Sequence, residues 1–316
     1  MINVRYLLQR LLTTIIVIFG ITFIVFMIIQ AVPGDPARVV LGVAASEESV
    51  EALRERLGLN RPVWEQYLTW LNGLLRGDLG DSLVTGQPVG EQILQRLPAT
   101  LMLAGAGLLV GLLIGLPAGI LSAIKPNSPL DISTSILSQI GVSIPDFWLG
   151  ILLVLLFSLT LGWLPSQGYT PFSEDPVDWL LHLILPAFTV GIISGSIQTR
   201  FNRSAMLEVL HKDYIRTARA KGLTEATVIN KHALRNALIP IITILGLQLT
   251  ALLSAVVVVE VVFSWPGLGR LTLDAVLDRD YPLLQGAVFT IATLLTFVNL
   301  GTDLLYAFID PRIERA

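Results

Sequence analysis

Six long apolar runs constrain this chain more than any other feature of its sequence. The hydrocarbon core of a bilayer is about 30 Å thick, and a helix needs roughly 20 apolar residues to cross it. Runs of this kind occupy residues 11–32, 99–124, 132–161, 179–199, 238–259 and 283–302. Because backbone groups in hydrocarbon must be hydrogen-bonded internally, each run is predicted to form a helix. The sequence therefore predicts an all-α membrane protein with six transmembrane helices.

The composition agrees with this prediction. Only 14% of the residues are charged, whereas a soluble globular domain usually has about 25%. The chain has no cysteine, which excludes disulfides, thiol nucleophiles and cysteine-ligated zinc. Arg5 and Arg10 precede the first apolar run, which is longer than the apolar part of a signal peptide, so we expect a retained membrane helix.

The distribution of basic residues predicts the orientation. Six spans place both termini on the same side of the membrane. If that side is the cytosol, Arg5, Lys125, Arg203 and the basic loop between the fourth and fifth spans all lie inside, while the short outer loops are mostly acidic. An excess of lysine and arginine in cytoplasmic loops is the general rule. Both termini are therefore predicted to be cytoplasmic.

Four segments follow from this topology. Residues 1–32 are predicted to form a cytoplasmic N-terminus and the first transmembrane helix, and residues 33–98 an extracytoplasmic helical loop. Residues 99–310 are predicted to form a five-helix transmembrane core, with a cytoplasmic loop at 203–237. The last residues, 311–316, form a cytoplasmic tail.

The long outer segment carries helix signals of its own. Ser46 is placed to cap a helix that Gly58 can end, and Pro62 can occupy the first position of the next helix. The predicted apolar face of that second helix consists of Trp64, Leu68, Leu71 and Leu75. The segment is either a small amphipathic cap over the outer mouth or a docking surface for an extracytoplasmic partner. Its composition favours the cap.

Small residues crowd the second span. Glycine occupies positions 105, 107, 111, 115 and 119. Repeated small residues allow membrane helices to approach each other closely. We therefore expect a packing role for these glycines rather than a ligand site.

Three polar residues near membrane depth are candidate pathway or gate residues: Asp146, Gln248 and Glu260. Ionisable residues inside a membrane are costly and often functional. Glu260 lies either within the bilayer or at the outer interface, where it would simply cap a loop. Asp146 follows Pro145 and either lines a cavity or packs into a kink. Gln248 could also be an ordinary hydrogen-bonding group between helices.

The sequence provides no catalytic, metal or nucleotide site. The three histidines, His182, His211 and His232, fall at a span end and in the basic loop, so no serine–histidine pair is expected within the bilayer. None of the four lysines follows a glycine, which excludes the GxxxxGK[ST] phosphate-binding loop. If the protein performs work, the energy must therefore come from another polypeptide or from an ion gradient.

The basic loop at 211–240 is the most distinctive polar stretch. Gly222 divides it, since glycine readily adopts the positive φ of a sharp turn. Thr224 is a plausible N-cap and Glu225 a favourable first-turn acid for a second helix at 225–236. The loop could be a basic anchor near anionic lipid or a helix that docks into a groove on a cytosolic protein. The residues alone favour the anchor.

The loop also resembles a motif of bacterial ABC importer permeases, in which Glu-Ala-Ala is followed after three residues by glycine and after nine more by Ile-x-Leu-Pro. Gly222 takes the glycine position, residues 216–218 stand for Glu-Ala-Ala and residues 232–235 for Ile-x-Leu-Pro. The closer resemblance is to the peptide/nickel branch, the dipeptide and oligopeptide permeases of B type. It is carried by AVPGDP (31–36), QRLPATL (95–101), VSIPDFWLG (142–150), DYIRTARAKGL (213–223), HALRNALIP (232–240) and VEVVFSWPGLG (259–269).

This resemblance implies a fold, partners and a site. The fold is that of a type I ABC importer permease in the bacterial cytoplasmic (inner) membrane, surrounded by lipid. The partners are a paralogous permease in a heterodimer, two ATPase subunits and an extracytoplasmic substrate-binding protein, with no nucleic acid. ATP and Mg²⁺ would bind to the ATPase subunits, and this chain would bind no cofactor. The residues expected to couple to the ATPase are Arg216, Thr217, Ala218, Lys221, Gly222, Leu223, Thr224, Glu225 and Leu234.

The expected function is therefore that of a non-enzymatic transport subunit, the permease of an ATP-driven importer for dipeptides, oligopeptides or similar solutes. The first alternative is a secondary transporter driven by an ion gradient, which would need coupling acids at mid-depth and often shows an internal repeat. The second alternative is an intramembrane enzyme, which the histidine positions disfavour.

Overall fold

The computed structural model describes residues 4–31, 34–41 and 45–309, and within these ranges it contains helices and loops but no β-strand. The predicted tail at 311–316 lies outside the described residues, as do Val32 and Pro33 of the motif at 31–36. The α-helices are α1 (Val4–Gln30), α2 (Pro36–Leu41), α3 (Glu47–Leu57), α4 (Val63–Leu75), α5 (Val89–Ile124), α6 (Pro129–Ser143), α7 (Asp146–Leu153), α8 (Pro176–Leu210), α9 (Asp213–Ala220), α10 (Glu225–Thr227), α11 (Leu234–Val262), α12 (Leu268–Leu277) and α13 (Tyr281–Ile309). Two π-helical stretches extend α7 and α10, at Val154–Thr160 and Val228–Ala233.

Five of these helices are long and apolar enough to cross a membrane, and α6 with α7 and its π-helical extension makes a sixth if the bent pair is one span. The prediction of six membrane helices is therefore confirmed. The third span bends by 107° at its break. Pro145 explains the break, because proline excludes the residue before it from the helical region, and Ile144 is extended at φ −85° and ψ 128°.

Two spans continue well beyond their apolar runs. Helix α5 begins at Val89 rather than at residue 99, and α8 ends at Leu210 rather than at residue 199. Hydropathy marks only the apolar part of a helix, whereas the backbone hydrogen bonds continue through the polar turns on either side. The charged end of α8 consequently carries the helix into the basic loop.

Internal contacts divide the chain into two units. The first is built from Thr100–Trp265 and the described residues from Val298 onward, and the second from Leu8–Ala99 and Pro266–Phe297. In the first unit, the glycines of α5 pack against α8. A Cβ added at Gly107, Gly111, Gly115 or Gly119 would come within 2.6–3.0 Å of α8 atoms. The packing role predicted for these four glycines is confirmed, whereas a Cβ at Gly105 would meet no atom within 4 Å.

In the second unit, the predicted helix signals are largely present. The backbone N–H of Ser49 donates to Ser46 Oγ at 3.3 Å, and Gly58 ends α3 at φ +68°. Pro62 is the N-cap of α4 rather than its first helical residue. The turn before α5 has positive φ at Gly77 and Gly80.

The predicted apolar face of α4 is mostly exposed. Trp64, Leu68 and Leu75 are 62%, 52% and 71% exposed. The side chains that pack against α1 are instead Tyr67 and Trp70, whose rings lie 5.4 Å and 6.1 Å from that of Phe26. The rings of Tyr67 and Trp70 therefore provide the contact of α4 with α1, at distances typical of aromatic pairs.

The second unit also contains a cavity of about 590 Å³. Its lining includes Phe26, Arg54, Trp70, Tyr281 and Gln285. Asp35 Oδ2 accepts hydrogen bonds from Arg54 Nε at 3.1 Å and Nη2 at 2.7 Å at its wall. Burial alone would raise the pKa of Asp35, but Arg54 and the backbone N–H of Ala37 lower it overall.

Candidate functional site

The basic loop joins α8 to α11 through two short helices. Helix α9 follows α8 after His211 and Lys212, and Gly222 ends its turn at φ +76°. No atom lies within 4 Å of a Cβ built at Gly222, so the backbone conformation and not crowding requires glycine there. The split that the sequence predicts at this residue is present.

The second half of the loop differs from the prediction. Residues 225–236 do not form a separate short helix. The single α-helical turn of α10 passes into the π-helical stretch Val228–Ala233, which runs directly into α11. Thr224 occupies the N-cap position with extended backbone, but its hydroxyl lies 2.9 Å from the Thr227 hydroxyl and does not cap the helix. The loop is therefore continuous with the fifth span.

An apolar cluster seats the loop on the helices beneath it. Helix α9 contributes Ile215 and Ala218, and the π-helical stretch contributes Val228 and Ala233, all of them buried. The remaining buried members are Ala123 of α5, Met206 and Val209 of α8, and Ala237 and Ile241 of α11. Leu234 packs against this cluster from a half-buried position. Burial of this kind stabilises the loop mainly by removing apolar area from water.

Above the cluster lies a continuous exposed stretch, residues 219–226, which we call the exposed turn. All eight of its residues are exposed, including Leu223 at its tip. The nine candidate coupling residues thus separate into two groups. The exposed group is Arg216, Thr217, Lys221, Gly222, Leu223, Thr224 and Glu225. Ala218 and Leu234 belong to the packing beneath them, so their side chains support the turn from inside.

An ion pair closes the exposed turn across Gly222. Arg219 Nη2 donates to Glu225 Oε1 at 2.7 Å, and Nε donates to Oε2 at 3.2 Å. Hydrogen bonding to Arg219 lowers the pKa of Glu225, and hydrogen bonding to Glu225 raises the pKa of Arg219. Both side chains therefore stay charged at neutral pH. Arg219 is not among the candidate residues, because its partner is six positions away across a turn whose shape the sequence does not specify.

A second ion pair lies at the base of the loop, where its carboxylate is buried and its arginine is half-buried. Asp131, near the start of α6, accepts hydrogen bonds from Arg203 of α8 at both oxygens, from Nε to Oδ1 at 2.6 Å and from Nη2 to Oδ2 at 2.8 Å. Ser122 Oγ donates to Oδ1 at 2.5 Å, and the backbone N–H of Asn127 donates to Oδ2 at 2.8 Å. We call these four residues the buried root. It ties the α5–α6 turn to α8.

Sequence reasoning missed the buried root because its charges fall just outside the apolar runs. Asp131 precedes the third run by one residue, and Arg203 follows the fourth by four residues. The available signal was a lone acid and a lone base, each beside the inner end of a predicted span. Opposite charges at the same membrane level are candidates for pairing.

The three candidate pathway residues lie in separate places within the first unit. Asp146 is half-buried in the first turn of α7, directly after the bend. Gln248 is buried in α11, and within the described residues neither of its amide atoms has a hydrogen-bond partner. Glu260 is completely buried near the end of α11. Full burial argues against an exposed loop-capping role for Glu260.

The described residues contain no group of three or more His, Asp or Glu side chains that could hold a metal ion. His182 Nδ1 lies 2.9 Å from the Asp178 carbonyl oxygen and 3.4 Å from the Asp178 carboxylate, and His211 Nδ1 lies 2.6 Å from the Leu207 carbonyl oxygen. These contacts are local helix contacts at i−4.

Comparison with known families covers nearly the whole chain. The family described as binding-protein-dependent transport system inner membrane component matches residues 115–315. A family describing the N-terminal part of such membrane components matches residues 3–104.

Full-length relatives agree with this match. The chain is 44% identical over 312 residues to the oligopeptide transport system permease protein AppB of Bacillus subtilis, covering 98% of this chain and 99% of the relative. It is 43% identical over 330 residues to the dipeptide transport system permease protein DppB of Alkalihalophilus pseudofirmus, with 98% and 99% covered.

Solved structures show the same fold at low sequence identity. A chain of the inward-facing MetNI methionine ABC transporter is 18% identical and superposes with a TM-score of 0.58, over 69% of this chain and 96% of that one. A chain of an amino acid ABC transporter gives 0.52 at 18% identity, over 70% and 94%. The predicted type I importer permease fold is thereby confirmed.

Proposed function

The chain belongs to the family of binding-protein-dependent transport system inner membrane components, and on this premise we propose that it is the permease subunit of an ATP-driven importer of dipeptides, oligopeptides or peptide-like solutes. The peptide assignment is supported by relatives named as oligopeptide and dipeptide permeases, which match over 98% of the chain. Because these relatives are transport permeases along their full length, the secondary-transporter and intramembrane-enzyme alternatives are set aside.

The exposed turn is the proposed point of contact with an ATPase subunit. The observation that carries this proposal is the contrast within one loop: eight consecutive exposed residues rest on a cluster whose members are buried. An exposed segment that is packed against other helices can be displaced by a partner protein and can transmit that displacement to α5, α8 and α11 through the cluster. Leu223 supplies an apolar contact at the tip, and the surrounding Lys221 and Thr224 supply polar ones, as expected for a short helix that docks in a groove.

In this proposal, ATP binding and hydrolysis by two partner subunits would move the exposed turn and switch the membrane helices between outward-facing and inward-facing states. This chain would bind neither ATP nor Mg²⁺. A paralogous permease would complete a heterodimer whose interface forms the pathway, and an extracytoplasmic binding protein would deliver the solute. The complex would lie in the bacterial inner membrane, with both termini and the loop in the cytosol and the segment 33–98 outside.

Three residues remain candidates for the pathway or its gate. Gln248 is the strongest, because a buried amide with no hydrogen-bond partner among the described residues is costly unless something else satisfies it. A partner subunit, water or the solute could each supply that hydrogen bond. Asp146 beside the bend and Glu260 in its buried position are the other two candidates.

Cysteine crosslinking tests the coupling contact directly, because the chain has no native cysteine. Thr224→Cys in the exposed turn should crosslink to a cysteine placed on the ATPase subunit in the assembled transporter. Leu75→Cys provides the control, since that side chain is 71% exposed but lies in the segment predicted outside. Labelling of Thr224→Cys only by a membrane-impermeant reagent added from outside intact cells would reverse the topology and end the proposal.

A further inference from the structure

We propose that the buried root makes the α5–α6 turn move together with α8 when the loop is displaced, so that Asp131 and Arg203 are positioning residues for coupling. This inference rests on the proposed function of the exposed turn. It concerns a different part of the molecule, because neither residue reaches the exposed turn.

The first support is the completeness of the hydrogen bonding. Both carboxylate oxygens of Asp131 accept from Arg203. Oδ1 also accepts from the Ser122 hydroxyl at 2.5 Å and from the Ser135 hydroxyl at 3.5 Å, and Oδ2 accepts from the backbone N–H of Asn127. Asn127 adopts a positive φ of 61°, which turns its N–H toward the carboxylate side of the turn. The planar guanidinium fork constrains orientation as well as distance, so the pair resists rotation of α8 against the turn.

The second support is burial. The Asp131 side chain is only 4% exposed and that of Arg203 is 31% exposed. By contrast, the ion pair between Glu208 of α8 and Lys212, which lies just beyond the end of α8, has side chains that are 73% and 52% exposed. An exposed pair can exchange its partners for water, whereas a buried carboxylate has little to replace its arginine. The buried root is therefore a persistent connection.

The third support is its position directly beneath the loop. Ser122 precedes Ala123, which is a buried member of the cluster under α9. Arg203 lies three residues before Met206 and six before Val209, both members of the same cluster. Residues three apart on a helix are neighbours on its surface. The ion pair therefore links α8 to the start of α6, and the apolar cluster links the same end of α8 to α5, α9 and α11.

These features indicate how movement would spread. A displacement of α9 would reach α5 and α8 through the apolar cluster. The buried root would then carry it to the start of α6 and so to the helix that bends at Pro145. Without the ion pair, helix packing alone would connect α8 to the α5–α6 turn, and the turn could lag behind α8. Hydrolysis would then continue with less transport.

Two substitutions test the inference in the complete transporter reconstituted in proteoliposomes. Asp131→Asn removes the charge and keeps the shape, and Arg203→Lys keeps the charge but loses the two-point fork. We expect transport per ATP hydrolysed to fall in Asp131→Asn by at least about fivefold, the lower end of typical coupling between sites. Arg203→Lys should show a smaller decrease, with hydrolysis close to that of the unaltered transporter in both.

Glu208→Gln is the matched control, because it neutralises the carboxylate of an exposed ion pair on the same helix. Its transport per ATP should be unchanged. The Thr224→Cys crosslink, measured in each variant, reports separately whether the loop still contacts the ATPase. If the chain that carries only Thr224→Cys does not crosslink to the ATPase, the proposed function is refuted rather than the role of the ion pair.

Three results would overturn the inference. Transport and hydrolysis could fall in proportion, or both variants could fail to assemble, and either result would make the pair a purely structural connection. An equal loss of coupling in Glu208→Gln would show that any charge removed from α8 has the same effect.

Discussion

The exposed turn and the buried root contain the same chemical unit, an arginine that holds a carboxylate with two hydrogen bonds, in opposite surroundings. Arg219 and Glu225 are 44% and 56% exposed, whereas Asp131 and Arg203 are 4% and 31% exposed. Ion pairs on a surface contribute little net stability because water competes for both partners. Breaking a buried pair leaves a charge without a replacement for its partner. The ion pair of the exposed turn can therefore exchange its partners readily, whereas the residues of the buried root stay paired and move together.

The largest expected effect comes from breaking the root outright. Asp131→Ala leaves Arg203 without its carboxylate. Losing one partner of a fully buried pair typically costs about 3–5 kcal/mol, and we expect the lower end of that range because the Arg203 side chain is 31% exposed and water can solvate it. We expect a clear drop in the midpoint of thermal unfolding of the purified complex in detergent. An unchanged midpoint would show that the buried root does not stabilise the complex and that it does not differ in this respect from the ion pair in the exposed turn.

A somewhat smaller effect is expected from the helix contact beside the root. In Gly119→Val, the new Cβ would lie 2.6 Å from Asn202 Cβ and 2.7 Å from the Thr199 carbonyl oxygen. Overpacking of this kind typically costs about 1–3 kcal/mol. Gly105→Val in the same helix is the control, because its Cβ meets no atom within 4 Å. Equal unfolding midpoints for the two variants would contradict the close packing of α5 on α8.

The smallest effect on stability is expected in the exposed turn. Because the pKa of Glu225 is lowered in the folded protein, this ion pair contributes to the free energy of unfolding at pH values above the ordinary pKa of 4.5. The contribution is lost only as the pH falls through the lower pKa of the folded state. Because the pKa of Arg219 is raised, this residue loses its charge only at strongly alkaline pH. Glu225→Gln should therefore shift the unfolding midpoint only slightly, and by the same amount at about pH 6 and pH 8. A shift that differs between those two pH values would argue against this ion pair.

Hydropathy and local turn chemistry predicted much of this architecture for physical reasons. Each apolar run is long enough to require a helix, and Pro145 cannot continue one, so the six spans and the break in the third follow from the sequence. Gly222 and Gly58 adopt the positive φ that their positions suggested. These features depend on residues close together in the chain, where steric and hydrogen-bonding rules apply directly.

The features that the sequence did not predict depend on distant partners. Arg203 and Asp131 are 72 positions apart, and the packing of α6 on α8 brings them together. The packing of Tyr67 and Trp70 of α4 against Phe26 of α1 likewise joins residues about 40 positions apart, which the periodicity of α4 alone does not indicate. The merging of α10 into α11 depends on the π-helical stretch over the apolar cluster, which has no recognised sequence signal.

The central claim is that energy enters through the exposed turn, and Gly222→Leu tests it most directly. Leucine at φ +76° strains the turn, although its Cβ meets no neighbouring atom. Gly162→Leu imposes the same kind of strain at φ +64°, also with no atom within 4 Å, in a loop predicted on the opposite side of the membrane. The measurement is transport per ATP hydrolysed by the reconstituted transporter. We predict that Gly222→Leu continues to hydrolyse ATP but transports little, while Gly162→Leu stays coupled. Full coupling in Gly222→Leu would contradict the account.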